Sequence, residues 1–202
     1  MEVVQNKKIM IKTKKDYKEY LYLDQKARGL VTNWKTPIKD IIAPDYPWLF
    51  QKKLRKLEYY LNCRKDLVGR LYCLYLKVRF KRLSVKLGYS IRPNVFGPGL
   101  AIVHYGTIVV NGAVKVGKNC RLQVCTNIGA SGGNKKAPVI GDNVYIGPGA
   151  KIYGDIKIGN NIAIAANSSV NKSFLEENIM IAGSPARKIK DIDISKVIKM
   201  AK

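Results

Sequence analysis

The chain holds a single histidine, His104, inside the run GPGLAIVHYGTIVVNG at residues 97–112. Imidazole is the side chain that takes up and releases a proton near neutral pH, so a histidine set among Leu, Ile and Val is either packed filler or the acid/base group of a reaction. The four cysteines, Cys63, Cys73, Cys120 and Cys125, contain no CxxC pair. One histidine per chain also supplies too few for a three-histidine zinc site at each interface of a trimer. The pattern argues against a metal. It predicts reduced thiols in a cytoplasmic protein, with Cys120 and Cys125 structural rather than nucleophilic.

The elements that must position His104 change period near Gly88. Beyond it, Val110, Val116, Leu122, Ile128, Ile140, Ile146, Ile152, Ile158, Ile164 and Val170 share one register modulo six. Glycine follows the aliphatic residue at positions 117, 129, 141, 147 and 159, and a small or aliphatic residue such as Val114, Cys120 or Thr126 comes four places after it. A six-residue repeat of this kind describes a triangular solenoid: each hexad is one short flat strand and one turn, and the aliphatic residue points at the axis. Counted back from Val110, His104 falls on the inward register. Between Ile128 and Ile140 the number survives but GASGGNKKAPV puts Asn134 on the axis, where an unpaired amide would cost roughly 1–3 kcal/mol. The segment is therefore expected to leave the solenoid as a projecting loop.

Before Gly88 the pattern is helical. Thr13 or Asp16 caps a first helix carrying Tyr17, Leu21, Leu23 and Ala27 and ending near Gly29. After Pro37, Pro44 and Pro47, a second helix starts near Trp48 with Leu54, Leu57 and Leu61. A third carries Leu67, Leu71, Leu74 and Val78. Cations lie between these stripes, among them Lys52, Arg55, Lys77, Arg79, Lys81 and Arg82.

Net charge is +23, from 37 Lys and Arg against 14 Asp and Glu, in a 202-residue chain that is 47% hydrophobic. Such a field suits polyanions or anionic lipid surfaces. Nucleic acid is disfavoured because no finger, RNP-type motif or recognition helix accompanies the charge. The first residues lack the apolar run of a leader, and no apolar stretch is long enough to span a bilayer. The expected location is the cytoplasm, with the basic helices able to meet the inner face of the membrane.

The combination of FGPGLAIVHYGTIVV, the GASGGNKKAP loop, VIGDNVYIGPGAKI and the closing IAGSPARKI resembles the hexapeptide-repeat acyltransferases, in their serine O-acetyltransferase-like branch, and within it the members associated with surface and capsular polysaccharides. The resemblance implies a mainly β fold: a left-handed parallel β-helix over residues 89–190, a basic helical region over 1–88 and a tail over 191–202. It implies acetyl-CoA as the donor, no metal, and a homotrimer with active sites between subunits. His104 would be the general base. Pro148, Ala166, Asn171, Lys172 and Arg187 would line the pantetheine and nucleotide channel. Where serine enzymes carry acidic groups, this chain has Ser90, Val103 and Gly112. The expected acceptor is therefore a sugar or glycan hydroxyl, free or lipid-linked, with Tyr105, Asn127 and Lys136 as contacts. The alternatives are a serine O-acetyltransferase of cysteine synthesis and a non-catalytic hexapeptide scaffold.

Overall fold

The structure is a computed structural model that describes residues 10–31 and 42–198. The leader reading at the N-terminus, Pro37 and the last four residues of the tail lie outside these residues.

Among the described residues three helices precede the strands. In α1 (Lys14–Ala27), the Thr13 hydroxyl accepts from the Asp16 amide while the Asp16 carboxylate accepts from the Thr13 amide, a reciprocal cap. Helix α2 (Tyr46–Cys63) is capped by Asp45 with Pro47 in its first turn, and α3 (Leu67–Leu87) is capped by Asp66 and closed by Gly88 at φ +75. With three such helices the fold is mixed α/β rather than mainly β.

The remainder winds into three sheets of short parallel strands. The first face runs β1 (Tyr89–Ile91), β3 (Ile108–Val110), β6 (Thr126–Gly129), β9 (Lys151–Tyr153) and β12 (Ser169–Val170). The second holds β4 (Lys115–Val116), β7 (Val139–Ile140) and β10 (Lys157–Ile158). The third holds β2 (Ala101–Ile102), β5 (Arg121–Leu122), β8 (Tyr145–Ile146), β11 (Ala163–Ile164) and β13 (Ile179–Gly183), with β14 (Ala186–Asp191) added antiparallel at its end. Each strand pairs with one a full turn away, so the chain is a three-sided coil. All ten aliphatic residues of the hexad register are buried along its axis. Burial pushes the inward Cys120 thiol up to about 12, whereas Cys125 is exposed at φ +60 and fills no inward slot. The corner joining the second and third faces is tied by a ladder of left-handed asparagines: Asn119 donates to Asn143, and Asn143 to Asn161, at 2.8 and 2.9 Å.

Two expectations change. The stripe Leu67, Leu71, Leu74 and Val78 of α3 faces outward; Cys73, Leu76, Phe80, Leu83 and Leu87 turn to the core instead. Arg55, one of the cations between the apolar stripes, is fully buried. Its guanidinium donates to both Asp24 oxygens (2.8 and 3.1 Å), to Glu58 (3.0 Å) and to the carbonyls of Phe96 and Gly97 (2.8 and 2.6 Å). Asp24 in turn accepts from the amides of Gly99 and Leu100. This network clamps α1 and α2 onto the GPGL turn that opens the coil.

Candidate active site

His104 lies on the corner between β2 and β3. Eight residues separate Ile102 from Val110, where six separate Leu122 from Ile128, and these are paired positions on adjacent coils. Ile102 therefore takes the inward slot, and the two extra residues push His104 and Tyr105 out into solvent. Counting back by sixes from Val110 lands on His104 instead of Ile102 for this reason. The backbone beneath it is held firmly. The Tyr89 hydroxyl donates to the His104 carbonyl at 2.6 Å, Gln51 bonds the Leu100 carbonyl and the Ile102 amide, and Arg28 donates to the Ile102 carbonyl. Burial pushes the Tyr89 phenol upward, which keeps it a proton donor. Among the described residues nothing hydrogen-bonds the His104 ring, which leaves both nitrogens open to a substrate.

Other predicted residues stack above this corner. The Gly149 amide bonds the Val124 carbonyl, the Asn167 amide bonds the Pro148 carbonyl, and a Cβ on Gly106 would lie 3.4 Å from the Val124 side chain. His104, Val124, Pro148 and Ala166 thus follow one edge of the prism, rising about 4.8 Å per coil and about 14 Å in all. The β13–β14 hairpin places Arg187 opposite Ala182, one coil beyond Ala165 on the same edge.

The rest fall elsewhere. The projecting loop leaves the corner between the first and second faces. Asn134 is exposed there, and Lys136 pairs with Asp155 at 2.9 Å. Asn171 and Lys172 follow β12 at that same corner, with the Lys172 ammonium 5.4 Å from the Phe174 ring centre. Asn127 points outward from the face between the two edges, in a row running Ser90, Val109, Asn127, Lys151 and Ser169. Within one chain the His104 edge and the Lys172 edge are separated by the width of a three-residue strand, about 10 Å. They do not converge on one reacting atom. The positioning residues Tyr89, Gln51 and Arg28 were not legible in the sequence. The one available signal was Arg55 and Glu58, charged at i and i+3 within the apolar stripe of α2.

Among the described residues no group of three His, Cys, Asp or Glu could hold a metal. A family model described as "Bacterial transferase hexapeptide (six repeats)" matches residues 137–172. That stretch of the coil is similar to the transferase hexapeptide repeat. The hexapeptide coil and its helices are also similar to individual proteins. A serine acetyltransferase of Mycobacterium tuberculosis is 35% identical over 105 residues, covering 50% of this chain and 45% of the relative. One from Buchnera aphidicola is 28% identical over 197 residues, covering 90% of this chain and 69% of the relative. The crystal structure of a serine acetyltransferase from Brucella abortus superposes with a TM-score of 0.66 at 26% identity, covering 88% of this chain and 70% of that one. The chain spans less than half of the Mycobacterium relative's length.

These likenesses overturn the sugar-acceptor expectation. It rested on Ser90, Val103 and Gly112, three positions at or near the surface and outside the axial core. The similarity to serine acetyltransferases runs through both the helices and the coil.

Proposed function

We propose that this protein is a serine O-acetyltransferase that uses acetyl-CoA, with His104 as the general base. The carrying observation is the exposure of His104 on an edge that continues past Pro148 and Ala166, in a chain similar over 90% of its length to a serine acetyltransferase. In this reading the pantetheine arm lies along that edge with its amides against the backbone near Pro148 and Ala166. Arg187 meets the phosphates at the far end. His104 takes the proton from the serine hydroxyl as its oxygen attacks the thioester carbonyl. The tetrahedral oxyanion collapses, the carbon–sulfur bond breaks, and the imidazolium returns its proton to the departing thiolate. The products are O-acetylserine and coenzyme A. General-base transfer of this kind is worth about 10²–10⁴ in rate.

The 10 Å gap between the two edges supports a second element of the proposal, a homotrimer in which the His104 edge of one copy faces the Asn171–Lys172 edge of the next. Lys172 then reaches the nucleotide from the neighbouring subunit, and Tyr105, Asn127 and Lys136 approach the acceptor. The coil is taken as left-handed, a reading supported by the likeness to hexapeptide-repeat transferases.

The test is thiol release from acetyl-CoA on adding L-serine, with O-acetylserine identified by mass. Release that requires L-serine, and that falls about 10²–10⁴-fold in His104→Ala with an unchanged circular dichroism spectrum, is the expected result. No serine-dependent release, or full activity in His104→Ala, would sink the proposal. Sedimentation as a monomer at micromolar concentration would remove the inter-subunit element.

A further inference from the structure

The outward face of α3 is the largest feature that acetyl transfer leaves without a role. Leu67, Leu71, Leu74, Tyr75, Val78 and Val85 on it are 44–73% exposed, although the opposite face of the same helix already packs on the core. Residues 67, 71, 74, 78 and 85 fall within one narrow sector of the helix, forming a continuous apolar stripe some 27 Å long at 1.5 Å per residue. Contiguous exposed apolar surface of this kind marks an interaction site.

Charge decides what covers it. The 21 residues of α3 include six cations, Arg70, Lys77, Arg79, Lys81, Arg82 and Lys86, and no acidic residue. Lys77 and Lys81 border one side of the stripe, Arg79 and Lys86 the other, and Arg82 lies within it. At its N-terminal end an open cavity of about 330 Å³ between α2 and α3 is lined by Leu61, Leu74 and the cations Arg64, Lys65, Arg70 and Lys77. Arg64 is paired with Asp66, but Arg70 and Lys77 have no ion pair among the described residues. A second copy seated on this face would bring cations against their own counterparts. An anionic bilayer matches both halves of the pattern: headgroup phosphates meet the flanking cations, and the stripe enters the acyl boundary. No described helix is long and apolar enough to cross a membrane, so α3 would lie on the surface.

We infer that the outward face of α3 docks this protein on an anionic lipid surface. The inference is independent of acetyl transfer, and its test uses no activity. The full chain is sedimented with vesicles of phosphatidylglycerol and phosphatidylcholine mixed, or of phosphatidylcholine alone, at low and high salt. Binding to the mixed vesicles alone, weakened by salt, is expected. Lys77→Gln/Lys81→Gln/Arg82→Gln should lower the partition coefficient roughly hundredfold, from about 1 kcal/mol for each cation near the surface. Leu71→Ser/Leu74→Ser/Val78→Ser, checked for an unchanged melting curve, should lower it at least tenfold. Lys118→Gln/Lys157→Gln/Lys190→Gln on the coil should change it by a few-fold only. Equal binding to both vesicles, no binding, an equal loss in the coil triple, or serine variants that bind normally would each overturn the inference. So would a wild-type assembly that the serine triple splits, because a second copy would then cover the face.

Discussion

Arg55→Met removes the one cation from a buried cluster that holds the helices on the coil. Arg55 and Asp24 are fully buried and Glu58 nearly so, and the guanidinium makes two bonds to Asp24, one to Glu58 and two to backbone carbonyls. Methionine matches the arginine stem in volume but leaves two carboxylates facing each other out of water. Removing one partner of a buried ion pair costs about 3–5 kcal/mol. For a chain of this size each kcal/mol lowers Tm by about 2–4 °C, so a fall of roughly 6–20 °C is expected.

The pH dependence follows from the same geometry. In the parent, burial pushes the Asp24 and Glu58 carboxyls up, and Arg55 pulls them down. Without Arg55 the upward push of burial is opposed only by the amides of Gly99, Leu100 and Asn94, so the folded state holds protons more readily than it does in the parent. The variant's deficit should therefore be largest at neutral pH and shrink as pH falls through those raised values. Making all three residues apolar should not restore stability, because the amides of Asn94, Gly99 and Leu100 would lose their acceptors. Differential scanning calorimetry at several pH values measures all of this. A Tm within about 2 °C of the parent for Arg55→Met, or a deficit that grows as pH falls, would refute the reasoning.

Gly147→Ala should destabilise by roughly 1–3 kcal/mol in denaturant melts, since its Cβ would meet the Ile164 carbonyl oxygen at 2.7 Å and the Ala166 amide at 2.8 Å, both backbone atoms of the next coil. Tyr89→Phe removes the bond to the His104 carbonyl. It should cost about 0.5–1.5 kcal/mol in stability, and in the thiol-release assay it should lower kcat with little change in KM for acetyl-CoA. Alkylation of the native protein near pH 8, followed by peptide mass spectrometry, should modify exposed Cys125 within minutes and leave Cys120 untouched until denaturant is added, because its thiol is buried and held protonated.

The coil was legible because inward direction recurs along the chain itself. An aliphatic residue at nearly every sixth place, often with glycine after it, needs no knowledge of distant partners, and all ten such aliphatic residues from Val110 to Val170 are buried while Asn134 is exposed. The first helix was legible for the same local reason, its cap being contained within Thr13–Asp16. The two extra residues after Ile102 shift the modulo-six count, so that counting back from Val110 lands on His104 instead of the inward Ile102, whereas the six extra residues after Ile128 leave the count in register. The loop after Ile128 was legible all the same, because Asn134 stands where an aliphatic residue would point inward, and it is exposed.

The remaining features depend on contacts between residues far apart in sequence. Helix α3 is apolar on two sides, so its sequence names two candidate core faces, and only packing on Phe50 and Leu54 selects Phe80 over Leu71. Arg55 reads as one more surface cation until Asp24, 31 positions away, and the carbonyls of the GPGL turn, about 41 away, surround it. Local sequence by itself determined the repeat and singled out the one histidine of the chain. Tertiary structure decided which side of each element is inside, and that His104 stands on one edge while Lys172 stands on the next. The physical reason is that periodicity is a property of the chain's own backbone geometry, whereas burial is settled by whichever distant surface covers a face first.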